Sequence, residues 1–258
     1  MSETDSIQIH LSSKDAISYN GGLTSDCNFN LPLIEIPSQH YLYMSVIHAV
    51  IPYSFYQINS TNNNLYYSII IGGISVAQPS VTITPGNYNV RQLASFLNSN
   101  LPNFTVTYNS ITNGFLFNNS TNNFIFSSTS TCLKLLGFIP TNTLYLTSYG
   151  VAPNYQLISS HSIDLMPYKC ICILSNFPSG GINLSNKSSM SVLVSLPIKS
   201  SPYSIITYDG DTSNQQCLYT NSLSSMQIKI TDQNNSSINL NGIDWSITLQ
   251  LNVIKFVE

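Results

Sequence analysis

Leu42-Tyr43-Met44-Ser45-Val46-Ile47-His48-Ala49-Val50-Ile51 is the stretch on which the fold of this chain turns. Leu42, Met44, Val46, His48 and Val50 fall on one side of an extended segment, with Tyr43, Ile47 and Ile51 on the other. A period of two is the signature of a β-strand, because successive side chains point to opposite faces. Apolar residues on both sides predict a strand covered on both faces. The alternation spreads outward from there. Ile7, Ile9 and Leu11 share one face of a first strand, and Cys27, Phe29 and Leu31 one face of a second. Residues 65–71 read as another strand, ended by Gly72-Gly73. Further strands are predicted over 157–165, 169–174, 190–196, 204–208, 225–231 and 245–256, with connections rich in Asn, Ser, Gly and Pro. Many strands separated by turns, without helices between them, predict an all-β sandwich or jelly roll.

The middle of the chain reads differently. Asn89 is placed to cap a helix whose apolar residues, Val90, Leu93, Phe96 and Leu97, recur at helical spacing, and Pro102 ends it. Residues 104–108 and 114–118 form a predicted hairpin, 124–127 a third strand, and 130–137 a short helix with Ser130 as cap and Gly137 as stop. The expected organisation is therefore a single jelly-roll β-sandwich over 1–78 and 142–258, with a small α+β module inserted over 79–141.

Composition narrows the function. Charged residues make up 7% of the 258, against about 25% in an average soluble protein. The polar surface must then be built from Asn, Ser, Thr, Gln and Tyr, which cost little to desolvate under a neighbouring subunit. An A/T-rich genome would produce the same skew. Eight Lys and Arg are scattered with no basic run, so no nucleic-acid footprint is visible. The acidic start, Met1-Ser2-Glu3-Thr4-Asp5, is neither a signal nor a transit peptide, and no apolar run is long enough to span a bilayer. Synthesis in the cytosol is expected. The cysteines, Cys27, Cys132, Cys170, Cys172 and Cys217, are odd in number with no framework spacing, and are expected as reduced thiols. Asn-x-Ser/Thr triplets such as Asn59-Ser60-Thr61 and Asn103-Phe104-Thr105 are read as chance in a chain so rich in Asn and Ser.

The sequence predicts no catalytic site. Ser159, His161 and Asp164 are close in sequence, but on a strand His161 and Asp164 point to opposite faces, and no Gly-x-Ser-x-Gly elbow occurs. Cys170 and Cys172 share a strand face without further metal ligands nearby. Asp209-Gly210-Asp211 lacks the remaining carboxylates of a calcium loop and reads as a turn. No phosphate loop or dinucleotide fingerprint is present. The expectation is a protein that is not an enzyme and uses no cofactor or metal.

Several blocks resemble a known family. Residues 51–59, Ile-Pro-Tyr-Ser-Phe-Tyr-Gln-Ile-Asn, with Asn62-Asn63-Asn64-Leu65 after them, are one. Ile83-Thr84-Pro85-Gly86-Asn87-Tyr88 with Leu93 and Leu97 is the next, and Leu135-Leu136-Gly137-Phe138 a third. Ile230-Thr231-Asp232, Ile238-Asn239-Leu240-Asn241-Gly242 and Trp245-Ser246-Ile247-Thr248-Leu249 complete the set. In order and spacing these blocks resemble penton and minor capsid proteins of the jelly-roll lineage of double-stranded DNA viruses: virophages, polinton-like elements and giant viruses. The resemblance implies a jelly roll with an inserted module, arranged as a homopentamer at icosahedral vertices of a virion. Its implied partners are further copies of itself, the major capsid protein, and a host receptor or fibre reached through the module. An Arg-Gly-Asp tripeptide is absent, so integrin binding gains no support. Two other readings stay open: a carbohydrate- or receptor-binding attachment protein on a jelly roll, and a non-vertex minor or cement capsid protein.

Within these blocks, Tyr53, Phe55, Tyr56, Tyr88 and Trp245 are the candidate anchors, either of the core or of an interface. Gly86 is expected to allow a turn that a Cβ would oppose, and Tyr88 to lay its ring on the helix that follows. Asn241-Gly242 suits a tight reversal into the Trp245 strand.

Overall fold

The alternation around Leu42 becomes β4 (His40–Pro52), the central strand of a computed structural model that describes residues 4–140, 146–177 and 190–255. On one side it pairs with β19 (Ser246–Lys255). The register slips there, with Thr248 opposite His48 but Leu249 opposite Val46, so Ile47 is the extra residue of a β-bulge. A single extra residue reverses the phase of the alternation. The buried apolar set on β4 is therefore Leu42, Met44, Val46, Ala49 and Ile51, whereas His48 and Val50, expected on the same face as Leu42, lie on the other.

Two compact units make up the chain: Met1–Phe55 with Tyr168–Glu258, and Tyr56–Pro167. The first contains two antiparallel sheets. One runs β1 (Thr4–Ser12), β19, β4, β16 (Ile205–Asp209), with β17 (Gln216–Leu218) pairing β4 beside β16. The other runs β15 (Ser191–Pro197), β14 (Cys170–Ser175), β18 (Ser222–Asp232), β3 (Asp26–Glu35), β2 (Ser18–Tyr19). Numbering the eight main strands β1, β3, β4, β14, β15, β16, β18 and β19 in chain order, the sheets read 1-8-3-6 and 5-4-7-2. That is the double Greek-key order of a jelly roll. The chain is all-β in class, as expected, with one α-helix among the described residues where two were expected.

Local chemistry explains the turns and breaks. Asn241 and Gly242 both have positive φ, 52° and 76°, and the Ile243 N–H bonds the Leu240 carbonyl, closing the tight reversal before β19. Leu31-Pro32-Leu33 bulges out of the β3–β18 ladder, where the missing N–H of Pro32 is tolerated. The core between the sheets is filled by Phe29, Met44, Ile173, Met226, Ile230, Trp245 and their neighbours.

The second unit has its own core. A sheet of β12 (Tyr149–Val151), β13 (Asn154–Ile158), β10 (Gly114–Asn119) and β9 (Phe104–Asn109) accompanies a sheet of β11 (Phe124–Phe126), β6 (Tyr67–Ile71) and β7 (Ile74–Ala77). A short pair, β5 (Asn64–Leu65) and β8 (Val81–Thr82), and helix α1 (Val90–Asn100) complete it. Phenylalanine edges dominate the packing: Phe104 on Phe124 at 4.6 Å and Phe117 on Phe126 at 4.9 Å between centroids.

This unit is wider than the expected 79–141. Ile58, Leu65, Tyr67, Leu146, Leu157 and Ile163 belong to its core, and β6 pairs with β11 rather than with a jelly-roll strand. The strand expected over 65–71 divides at Tyr66 into the end of β5 and all of β6, and periodicity carries no information about the partner of either. Residue 141, the expected limit, and Phe256, the expected end of the last strand, lie outside the described residues. The predicted strand 157–165 stops at Ile158. Beyond it the chain is irregular, held by His161 N–H to the Gly137 carbonyl and Ile163 N–H to that of Asn113. Residues 130–137 are a chain of turns rather than a regular helix. Gly137 ends them with φ 79°, but Ser130 caps nothing: its hydroxyl accepts from the Tyr66 N–H and donates to the Tyr66 carbonyl.

Candidate assembly surfaces

The five anchor candidates separate by burial. Trp245, at 2% exposure, meets Phe29 edge-on at 6.1 Å, and its indole N–H donates to the Thr24 carbonyl. Tyr53 is stacked on Phe55 at 4.3 Å, and Phe55 meets Tyr168 edge-on at 5.2 Å. All three are buried inside the jelly-roll unit, where no other chain could reach them. Tyr56 and Tyr88 are half-buried in the second unit. The Tyr88 ring lies edge-on to Phe96 of α1 at 6.2 Å, and its hydroxyl donates to the Thr84 carbonyl. Gly86 is less demanding than expected. Its φ is not positive, and an added Cβ would meet Tyr88 at an ordinary 3.4 Å.

Ser159, His161 and Asp164 do not assemble into a triad. The His161 ring bonds Ser160, and the Asp164 carboxylate accepts from the Met166 N–H. Asp209 and Asp211 diverge: the first bonds His48 at 2.6 Å on the outer sheet face, and the second caps the short turn at Ser213. Asp26 is buried but satisfied, by Asn20 and Gln227 amides at 2.7 Å and by Lys229 at 3.7 Å. Burial, with help from Asp26 and Asp244, pushes the Cys27 thiol up to about 12, and burial alone does the same for Cys132. Such thiols stay protonated and unreactive. Among the described residues no three His, Cys, Asp or Glu side chains gather as a metal cluster.

The two flanks of the sandwich differ. On one flank, the Gln216 side-chain amide on β17 donates to the Val192 carbonyl of β15 at 2.7 Å, tying the sheet edges together. Beside that link is an open groove lined by Leu193, Ser195, Tyr208, Ser213, Asn214 and Gln216, none of them charged. On the opposite flank β1 is the edge strand, paired on one side only among the described residues. Ser13 N–H bonds the Trp245 carbonyl, so by antiparallel alternation Ile7, Ile9 and Leu11 bond β19. Ser6, Gln8 and His10 turn their main-chain groups outward. Their side chains fold back onto β19, Gln8 to Gln250 at 3.0 Å, His10 to Thr248 at 3.1 Å and Ser6 to Gln250, leaving the outward main chain uncovered. The signal was readable: Thr4–Ser12 has no Lys, no Pro and no bulge, the usual protections of an edge.

No protein-family model matches the sequence, and no curated protein matches it. Among solved structures it is similar to the crystal structure of the mavirus penton protein, with a TM-score of 0.54 and 10% identity over 98% of this chain and 100% of that one. At that identity the likeness is one of fold: along almost its full length, this chain folds as a virophage penton protein does.

Proposed function

We propose that this chain is a structural capsid protein, the penton subunit whose homopentamers close the five-fold vertices of an icosahedral double-stranded DNA virus. The observation that carries the reading is the fold match to the mavirus penton protein, which spans both units rather than the jelly roll alone. A charge-poor composition agrees with a role in assembly. The partners are other copies of the chain and the major capsid protein of the same virion, and the protein resides in the capsid after synthesis in the host cytoplasm. The unit Tyr56–Pro167 supplies the surface for a host receptor or fibre.

Native mass spectrometry of the purified chain, with the major capsid protein available, is expected to give pentamers. A virion density map is expected to place the chain at the five-fold axes. Monomers alone, or density confined to gaps between other capsomers, would overturn the vertex role.

A further inference from the structure

We infer that the uncovered edge of β1 docks into the groove between β15 and β16 of a second copy, so that the sheet continues along β16 across the subunit seam. The inference rests on the pentamer reading and names the surfaces that reading leaves open. A closed ring of identical chains needs a head-to-tail contact between two different surfaces. The described sandwich offers two such surfaces on opposite edges of one sheet, β1 and β16.

Their chemistry matches. The β1 edge presents outward N–H and C=O groups at Ser6, Gln8 and His10, where a free edge acts as a template for another strand. The receiving groove carries Ser195, Ser213, Asn214 and the Tyr208 ring, with no ion to strip of water. β16 is the terminal strand of its sheet, with no partner on its far side among the described residues. Exposed apolar side chains sit at both seams: Ile7, Ile17 and Tyr19 by β1, Tyr203 and Ile205 by β16. Main-chain pairing would supply the register, and these side chains the buried area.

Two variants test the direction of the contact. Gln8→Pro removes an outward N–H without touching the ladder to β19, and Ser6→Lys is a second edge variant should the first not fold. The double variant Ser195→Lys with Asn214→Lys puts charge into the groove at two exposed positions. Each is expected to keep the wild-type circular dichroism and melting temperature and to lose the pentamer in native mass spectra. Mixing an edge variant with the groove variant is expected to restore 1:1 dimers and nothing larger, because one intact seam remains. Pentamers that persist in either variant would overturn the inference and leave the penton reading standing. A groove variant that dimerises alone would mean β1 pairing with β1, and would also overturn it. A wild-type chain that never forms rings with its capsid partners would end the penton reading itself.

Discussion

Trp245 and Phe29 lie one at each face of the sandwich, so a single edge-on ring contact joins the two sheets. Replacing Trp245 by Ala should cost about 3–5 kcal/mol, the range for deleting a large buried aromatic, read from urea unfolding. Trp245→Phe should cost distinctly less, since most of the ring contact survives. Because Trp245 is the only tryptophan, its fluorescence reports the jelly-roll unit alone. Cys132 in the other unit carries a pH prediction. Its folded thiol is pushed up to about 12 from an ordinary 9.0. Below that ordinary value both states are protonated and stability is unaffected. Above it the unfolded thiol ionises and the folded one does not, so stability falls by about 1.4 kcal/mol per pH unit until the folded value is reached. Urea midpoints of wild type and Cys132→Ala, measured from about pH 8 to about pH 10.5, should diverge in slope with the wild type falling faster.

Helix α1 shows how polar side chains hold elements together where charges are scarce. Asn89 and Gln92 form a reciprocal capping box, and Asn89→Ala should cost about 1 kcal/mol of stability. Asn98 does more. Its amide donates to the Val106 carbonyl at 2.9 Å and accepts from the Val106 N–H at 2.7 Å, so one side chain acts as a neighbouring strand along the edge of β9. Asn98→Ala would strand both main-chain groups, and an expected loss of about 1–3 kcal/mol should appear in thermal or urea melts. The cap, the hairpin of β9 and β10, and the long strands of the sandwich were legible in the sequence, because each is encoded by local spacing. What escaped was set by tertiary pairing. The bulge at Ile47 depends on the register of β19, nearly two hundred residues away. The membership of β6 depends on β11, and short strands such as β7, β12 and β17 exist only because a partner lies alongside. Of the two readings left open for Trp245, Tyr53 and Phe55, the structure takes the core one, whereas the free edge of β1 is a matter of sheet order that local spacing does not encode.

At the scale of the whole molecule, the long insertion begins and ends at two touching rings. Phe55 and Tyr168 are 5.2 Å apart, so residues 56–167 leave the jelly roll and return to it at nearly the same point. Replacing 56–167 by a short Gly-Ser linker should therefore leave the sandwich folded, checked by circular dichroism and by retention of the buried Trp245 emission. Residues 56–167 carry only Arg91, Lys134 and Asp164 as charged side chains. Their melting should shift little between low salt and about 0.5 M NaCl, because few ion pairs are there to screen. The placement of β19 between β1 and β4 sets the order of events during synthesis. Ser246–Lys255 leaves the ribosome after every other described strand, so the earliest-made strands wait, their edges unsatisfied, for a central neighbour that arrives last. The contiguous stretch Tyr56–Pro167 faces no such delay and can collapse while translation continues. Closure around a late central strand keeps the edges of the nascent sandwich unpaired for longer than those of the insertion.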